Sequence, residues 1–273
     1  MLRLLNIEWE KLRSYRAFWV MVVLYVFVLF SMIFAVPALL DYIADHAKEN
    51  LALKAFKAIV FNFPDIWQNI AFVASMRGFI KIFLAILVMI FITNEFSFLT
   101  IRTNILNGMS RGEFITGKLL VIFFLTLLST LAVFFAGMYL GFTQSPVRSV
   151  SAVFSKMHYL LAYFLEVFTY LTFALMIGVL IRKTGFAVIV LLLYLIIEPI
   201  IQYYVPDDFD KYLPLNAMNH LIWSPNTSLI KVKTPEFNMD FQEFISWADA
   251  GICFLYVIIF ISAIYLFLRI KDL

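Results

Sequence analysis

Four ionisable residues of this 273-residue chain stand inside long apolar runs, away from the ends of those runs: Arg77 and Lys81 in one, Glu166 in another and Glu198 in a third. A charge such as Arg or Asp at the centre of a bilayer costs roughly 2.5–3.5 kcal/mol on insertion scales, so each of the four must face protein or water. If the runs are spanning helices, a rise of about 1.5 Å per residue puts all four in one half of the membrane, with Arg77 and Lys81 about 10–17 Å from the outer end of theirs. One turn apart, Arg77 and Lys81 would share a helix face. Two chemistries fit this set. The two cations and two carboxylates can neutralise one another as a structural network, or one carboxylate can line a water-filled path and take up a cation or a proton. Glu198 is the better candidate for the second role, because Pro199 follows it and removes a backbone donor at that depth.

A second group of polar residues lies between two apolar runs: Glu95, Thr100, Arg102, Thr103, Asn104, Asn107, Ser110 and Arg111. At helical spacing Thr100, Thr103, Asn104 and Asn107 share one face. Phe98, Ile101 and Ile105, with Leu99 and Leu106 beside them, make an apolar face opposite, which predicts a surface helix over 96–107. Gly108 should stop that helix, and Ser110 with Glu113 has the Ser-x-x-Glu spacing of a capping box that opens the next one. Glu95 and Arg102 would lie about 10 Å apart along a continuous helix, so their pairing requires a bend between them. We expect such a bend.

The elements that must hold these residues are set by composition. With 63% hydrophobic and 14% charged residues and a mean hydropathy of +0.93, the chain departs from soluble domains, which run at about half apolar and a quarter charged. Each spanning helix needs about 20 apolar residues. Six segments qualify: 17–40, 70–92, 119–141, 159–181, 185–204 and 245–270. The expected fold is therefore an all-α polytopic membrane protein of six transmembrane helices, read as one domain over 1–273. Residues 1–16 pattern as an interfacial helix, with Leu2, Leu5, Trp9 and Leu12 on one stripe and Arg3, Asn6, Glu10 and Arg13 on another. The apolar run from Ala17 is too long for a signal peptide and is followed by no small-residue cleavage site. Segment 205–244, between the fifth and sixth runs, is cut by Pro206, Pro214, Pro225 and Pro235 into short pieces. One of these, 215–223, is apolar enough to dip into the membrane, and 44–59 patterns as an amphipathic helix. Gly137 and Gly141 have the small-xxx-small spacing that permits close helix packing, read first as packing within the subunit.

The spacing of Glu95, Thr100, Arg102, Gly108, Ser110, Arg111 and Lys118, together with the span layout, resembles the ABC-2 type permeases, the membrane subunits of ATP-driven exporters. In that family a carboxylate closing the second span leads into a short cytoplasmic coupling helix. The resemblance implies a surface helix at the N-terminus, a coupling helix over 96–107, and short, partly re-entrant outer helices between spans five and six. It also implies separate ABC ATPase subunits that bind ATP and Mg, and a second permease copy or a homologous permease completing a dimer. Spans two and five would face the pathway.

Other chemistries find no support. There is no Gly-x-x-x-x-Gly-Lys-Ser/Thr loop, no Gly-x-Ser-x-Gly elbow and no His-Glu-x-x-His pair, so this chain is expected to be no enzyme and to carry no cofactor of its own. His46, His158, His220 and the single Cys253 have no metal-ligand spacing, nothing points to nucleic acid, and Asn226-Thr227-Ser228 is an isolated sequon. Basic residues beside the span ends, Arg13, Arg16, Arg182, Lys183, Arg269 and Lys271, place both termini in the cytoplasm, and the resemblance implies a bacterial inner membrane. An ion-coupled secondary transporter using Glu166 or Glu198, and a non-transporting membrane sensor or scaffold, remain as alternatives. A neighbouring reading frame with Walker and ABC signature motifs would favour the exporter.

Overall fold

The computed structural model describes residues 2–46, 61–222, 233–234, 237–238, 242 and 244–270. The amphipathic stretch expected over 44–59 and the sequon at Asn226 fall wholly or largely outside them. The order of helices is α1 (Leu2–Arg13), α2 (Arg16–His46), α3 (Phe63–Ser75), α4 (Ile82–Ser97), α5 (Thr100–Leu106), α6 (Arg111–Gln144), α7 (Val150–Val153), α8 (His158–Ile181), α9 (Thr184–Tyr204), α10 (Asp207–Asp210), α11 (Pro214–His220) and α12 (Trp247–Ile270). Two strands of two residues each, Lys233–Thr234 and Phe237–Asn238, pair antiparallel in the segment before α12.

Five helices, α2, α6, α8, α9 and α12, are each long and apolar enough to cross a membrane. The second hydrophobic run differs from the single helix expected over 70–92. It is split into α3 and α4 by a 3-10 turn, Met76–Gly78, and by residues 79–81. The break has a local cause: Gly78 takes φ +89, and a Cβ there would meet the Leu195 side chain at 3.2 Å, so a side chain is disfavoured by both backbone and neighbour. At 16 residues, α4 alone spans about 24 Å, short of the roughly 30 Å hydrocarbon core, and it reaches the length of a crossing only together with a neighbouring segment, α3 or α5. Irregular backbone at this depth is tolerated where protein covers it. The flanking Ser75, Ile80 and Lys81 are all buried.

Helix α8 forms the centre of the bundle and packs against α3, α4, α6, α9 and α12. Close approach is carried by glycine. A methyl at Gly178 would collide with Ile92 on α4, one at Gly137 would sit 2.7 Å from the Trp67 ring on α3, and one at Gly141 would overlap Phe63. The Gly137/Gly141 pair therefore serves packing inside the subunit, as expected. A hydroxyl cluster ties α2, α6 and α8 together: Tyr163 lies 2.9 Å from Ser129 Oγ and 3.2 Å from the Tyr25 hydroxyl, and Tyr25 and Ser129 also bond each other.

Helix α11 is buried along Leu215–Met218 against α8, α9 and α12. It corresponds to the piece expected to dip inward, although it begins one residue earlier and ends at His220.

Candidate functional site

Polar contacts gather at the end of the bundle where α1, the α4–α5 bend, the start of α6, the α8–α9 turn and the end of α12 meet. The centre of this end is an ion cluster of Glu8, Lys11, Glu95 and Lys118. Lys118 Nζ donates to Glu8 Oε2 at 2.6 Å and to Glu95 Oε1 at 2.7 Å. Lys11 Nζ donates to the same Glu95 oxygen at 2.8 Å and lies 3.7 Å from Glu8 Oε1. Glu8, Glu95 and Lys118 are all buried. The ammonium of Lys118 also stands 4.0 Å from the centre of the Phe91 ring, where ring electrostatics favour a cation. Gly117 leaves room for Glu8, whose carboxylate would lie 3.5 Å from any Cβ at that position. Two carboxylates and two ammonium groups sharing hydrogen bonds satisfy the condition under which buried charge is tolerated.

This cluster fastens α1 to α4 and α6 immediately behind the α4–α5 bend. The chain turns by 65° there, through Leu99 in the left-handed region at φ +55. Thr100, the first residue of α5, donates its hydroxyl to Glu95 Oε2. The bend expected between Glu95 and Arg102 is present, but it does not pair them. Glu95 is taken by Lys11, Lys118 and Thr100, while Arg102 is exposed and makes no ion pair among the described residues.

The bend also changes which side chains α5 presents. A helical wheel drawn over 96–107 assumes one continuous helix, whereas the left-handed residue at 99 resets the phase. Thr100 consequently turns inward and Asn104 is half-buried. Phe98, Leu99, Arg102, Thr103, Leu106 and Asn107 are exposed, and Ile101 and Ile105 pack on the core. The outer face is thus mixed rather than polar. Gly108, at φ +92, ends the segment. Ser110 Oγ then accepts from Glu113 N at 3.1 Å while Ser110 N donates to Glu113 Oε2 at 2.8 Å, the reciprocal capping box expected. Arg111 donates to the backbone carbonyl of Arg269 at 3.1 Å, joining α6 to the last turn of α12.

Of the four intramembrane charges, Lys81, Glu166 and Glu198 have described side chains. Lys81 and Glu166 form a buried ion pair, and Ser75 Oγ donates to the same Glu166 oxygen at 2.6 Å. The break between α3 and α4 brings both donors to Glu166, so Lys81 reaches it from an irregular segment and not from the shared helix face expected with Arg77. The Arg77 side chain lies outside the described residues. Glu198 makes no ion pair among the described residues; its Oε1 accepts the backbone N–H of Asn216 at 2.6 Å, in the first turn of α11. A carboxylate at a helix N-terminus satisfies an otherwise unbonded N–H and meets the positive end of the helix dipole. Proline 199 follows within α9, which remains helical to Tyr204.

Sequence reasoning missed Glu8. It lies on the Leu5 and Leu12 side of α1, at i+3 from one and i−4 from the other, so a carboxylate on an apolar stripe was the available signal.

An all-α bundle with five long apolar helices, a broken sixth and an N-terminal helix clamped by buried charge to the second and third crossings defines a polytopic membrane protein. The family model for ABC-2 family transporter proteins matches residues 2–273, and the chain belongs to that family as a permease subunit of an ABC transporter. No curated protein and no solved structure gives a match. Permeases of this family work with ABC ATPase partners.

Proposed function

We propose that this chain forms the substrate pathway of an ATP-driven exporter as one half of a permease dimer, driven by separate ATPase subunits that bind ATP and Mg. The observation that carries the reading is the exposed mixed face of residues 98–107 set directly against the Glu8–Lys11–Glu95–Lys118 cluster. Force applied to that face passes through Glu95 into α4 and α6 and through Glu8 into α1, because buried, hydrogen-bonded charges hold the three helices as one unit. Glu95, Thr100, Arg102, Thr103, Asn104, Asn107, Ser110 and Arg111 form the coupling region in this reading. Glu95 and Thr100 fix the bend, Ser110 and Arg111 anchor α6, and the exposed side chains meet the ATPase.

Introducing acidic residues at Thr103 and Asn107 tests the coupling. Both are exposed, so the fold should tolerate them, whereas Asn104 has a buried Nδ2 and would confound the result. Co-purification with the ATPase and stimulation of its hydrolysis should fall at least about tenfold, which corresponds to roughly 1.4 kcal/mol of lost interface energy. Full ATPase association in a folded double variant would refute docking on this face.

The same reading places this end of the bundle in the cytoplasm, since Lys11, Arg13, Arg16, Arg102, Arg111, Arg182, Lys183 and Arg269 all belong to it. A cysteine introduced at the exposed Phe209 should react with an impermeant maleimide added to intact cells, and one at the exposed Leu106 should not. The native Cys253 is buried and contributes little background. Labelling at Leu106 from outside would invert the topology.

A further inference from the structure

Three basic residues at this end have an acceptor: Lys11 and Lys118 have carboxylates, and Arg111 has the Arg269 carbonyl. Arg182, Lys183 and Arg102 have none among the described residues. They share a groove of about 420 Å³ between the α4–α5 bend and the α8–α9 turn, lined also by Phe96, Ser97, Leu99, Ile101 and Ile181. The lining contains no carboxylate. Arg182 occupies the left-handed conformation at φ +61 that ends α8, with its backbone N–H bonded to Gly178 O at 2.9 Å. Its guanidinium is held between two aromatic rings, 5.0 Å from the centre of Phe96 and 4.9 Å from that of Phe267. Nε and Nη2 are both buried with no hydrogen-bond acceptor. A guanidinium fixed in orientation by stacking, with two of its nitrogens buried and without an acceptor among the described residues, is prepared for an anion, and its planar fork matches two oxygens of a phosphate group.

We propose that this groove binds the phosphate of an anionic phospholipid headgroup. Arg182 would supply the oriented fork, and Lys183 and Arg102 would add charge from either side. A lipid source is favoured over a free anion by the surroundings. The groove lies where α4 and α8 end and α9 begins, the level at which headgroups meet protein. The exposed apolar side chains Phe186, Ile189 and Val190 continue from it along α9 and offer a surface to acyl chains. Because Leu99, Ile101 and Arg102 line one wall and Ile181–Lys183 the other, a bound headgroup would brace the bend against the α8–α9 turn. The inference rests on the membrane-spanning reading and not on ATPase coupling, so the two can fail separately.

The experiment uses the purified full chain in neutral detergent, titrated with phosphatidylglycerol or with phosphatidylcholine of the same acyl composition. Thermal stability and native mass spectrometry of lipid adducts are followed together. Phosphatidylglycerol should raise Tm and leave retained adducts, and phosphatidylcholine should do neither to the same degree. In R102Q/K183Q, which alters two exposed side chains and leaves the Arg182 stack in place, affinity for phosphatidylglycerol should fall about tenfold, since each interfacial basic residue contributes to anionic-lipid attraction. R13Q, an exposed basic position of the same end outside the groove, should behave as wild type. An equal Tm rise with phosphatidylcholine, or undiminished phosphatidylglycerol binding in R102Q/K183Q, would overturn the proposal. Inorganic phosphate alone reproducing the full stabilisation would overturn the lipid assignment and leave a free anion as the ligand.

Discussion

Replacing Glu166 with glutamine should lower the stability of the folded chain by about 3–5 kcal/mol, because the Lys81 ammonium would then be buried without a counter-charge. Both residues are almost wholly inaccessible, at 1% exposure for Lys81 and 0% for Glu166. Water cannot replace the lost partner, and the remaining Ser75 is a donor to the carboxylate that offers the cation little. The expected result is a large fall in melting temperature and in the monodisperse fraction recovered in detergent. Adding Lys81→Met removes the orphaned charge and should restore most of the loss, a non-additivity that identifies the pair. Glu198→Gln provides the contrast. Its carboxylate receives a backbone N–H at the start of α11, an interaction of about 0.3–1 kcal/mol, rising to about 2 where it is partly buried. Lys81→Met should not rescue it. A Glu198→Gln defect larger than that of Glu166→Gln and cured by Lys81→Met would show that Lys81 is partnered by Glu198 in the working protein.

That contrast follows from a feature the sequence only half reveals. Depth along the runs puts Arg77, Lys81, Glu166 and Glu198 in one half of the membrane, because hydrophobic runs fix the approximate position of a residue along the membrane normal. Choosing between Glu166 and Glu198 requires the break at Met76–Lys81, where Gly78 flanked by two cations in an apolar run was the visible mark. The capping box at Ser110 and the stop at Gly108 were legible because both are local chemistry, complete within four residues. The exposed face of α5 was not, since one residue with positive φ, Leu99, shifts the phase of everything after it, and leucine carries no signal for that conformation. Glu95 and Lys118 stood out in the family pattern. Glu8 did not, because its role depends on Gly117 and Lys118 more than 100 positions away.

Lys118 is the residue whose loss should disturb the coupling region most. Its ammonium is the only donor in the cluster that is fully buried and bonded to both carboxylates, Glu8 and Glu95. Lys118→Met leaves those carboxylates facing each other with the partly exposed Lys11 as their remaining cation. A destabilisation of about 3–5 kcal/mol is expected for breaking such a buried set. Reaction of a cysteine at Leu5 on α1 with maleimide should rise, reporting release of α1 from α6. Lys118→Met combined with Glu95→Gln removes one positive and one negative charge and retains the Glu8–Lys11 pair at 3.7 Å, so it should recover stability while cutting the link between the bend and α1. Transport and ATPase stimulation should stay low in that recovered variant, whereas Lys81→Met/Glu166→Gln, stable by the same kind of neutralisation but distant from the bend, should transport. Equal ATP-driven transport by both recovered variants would reduce the Glu8–Lys11–Glu95–Lys118 cluster to a packing device and remove the mechanical role assigned to it.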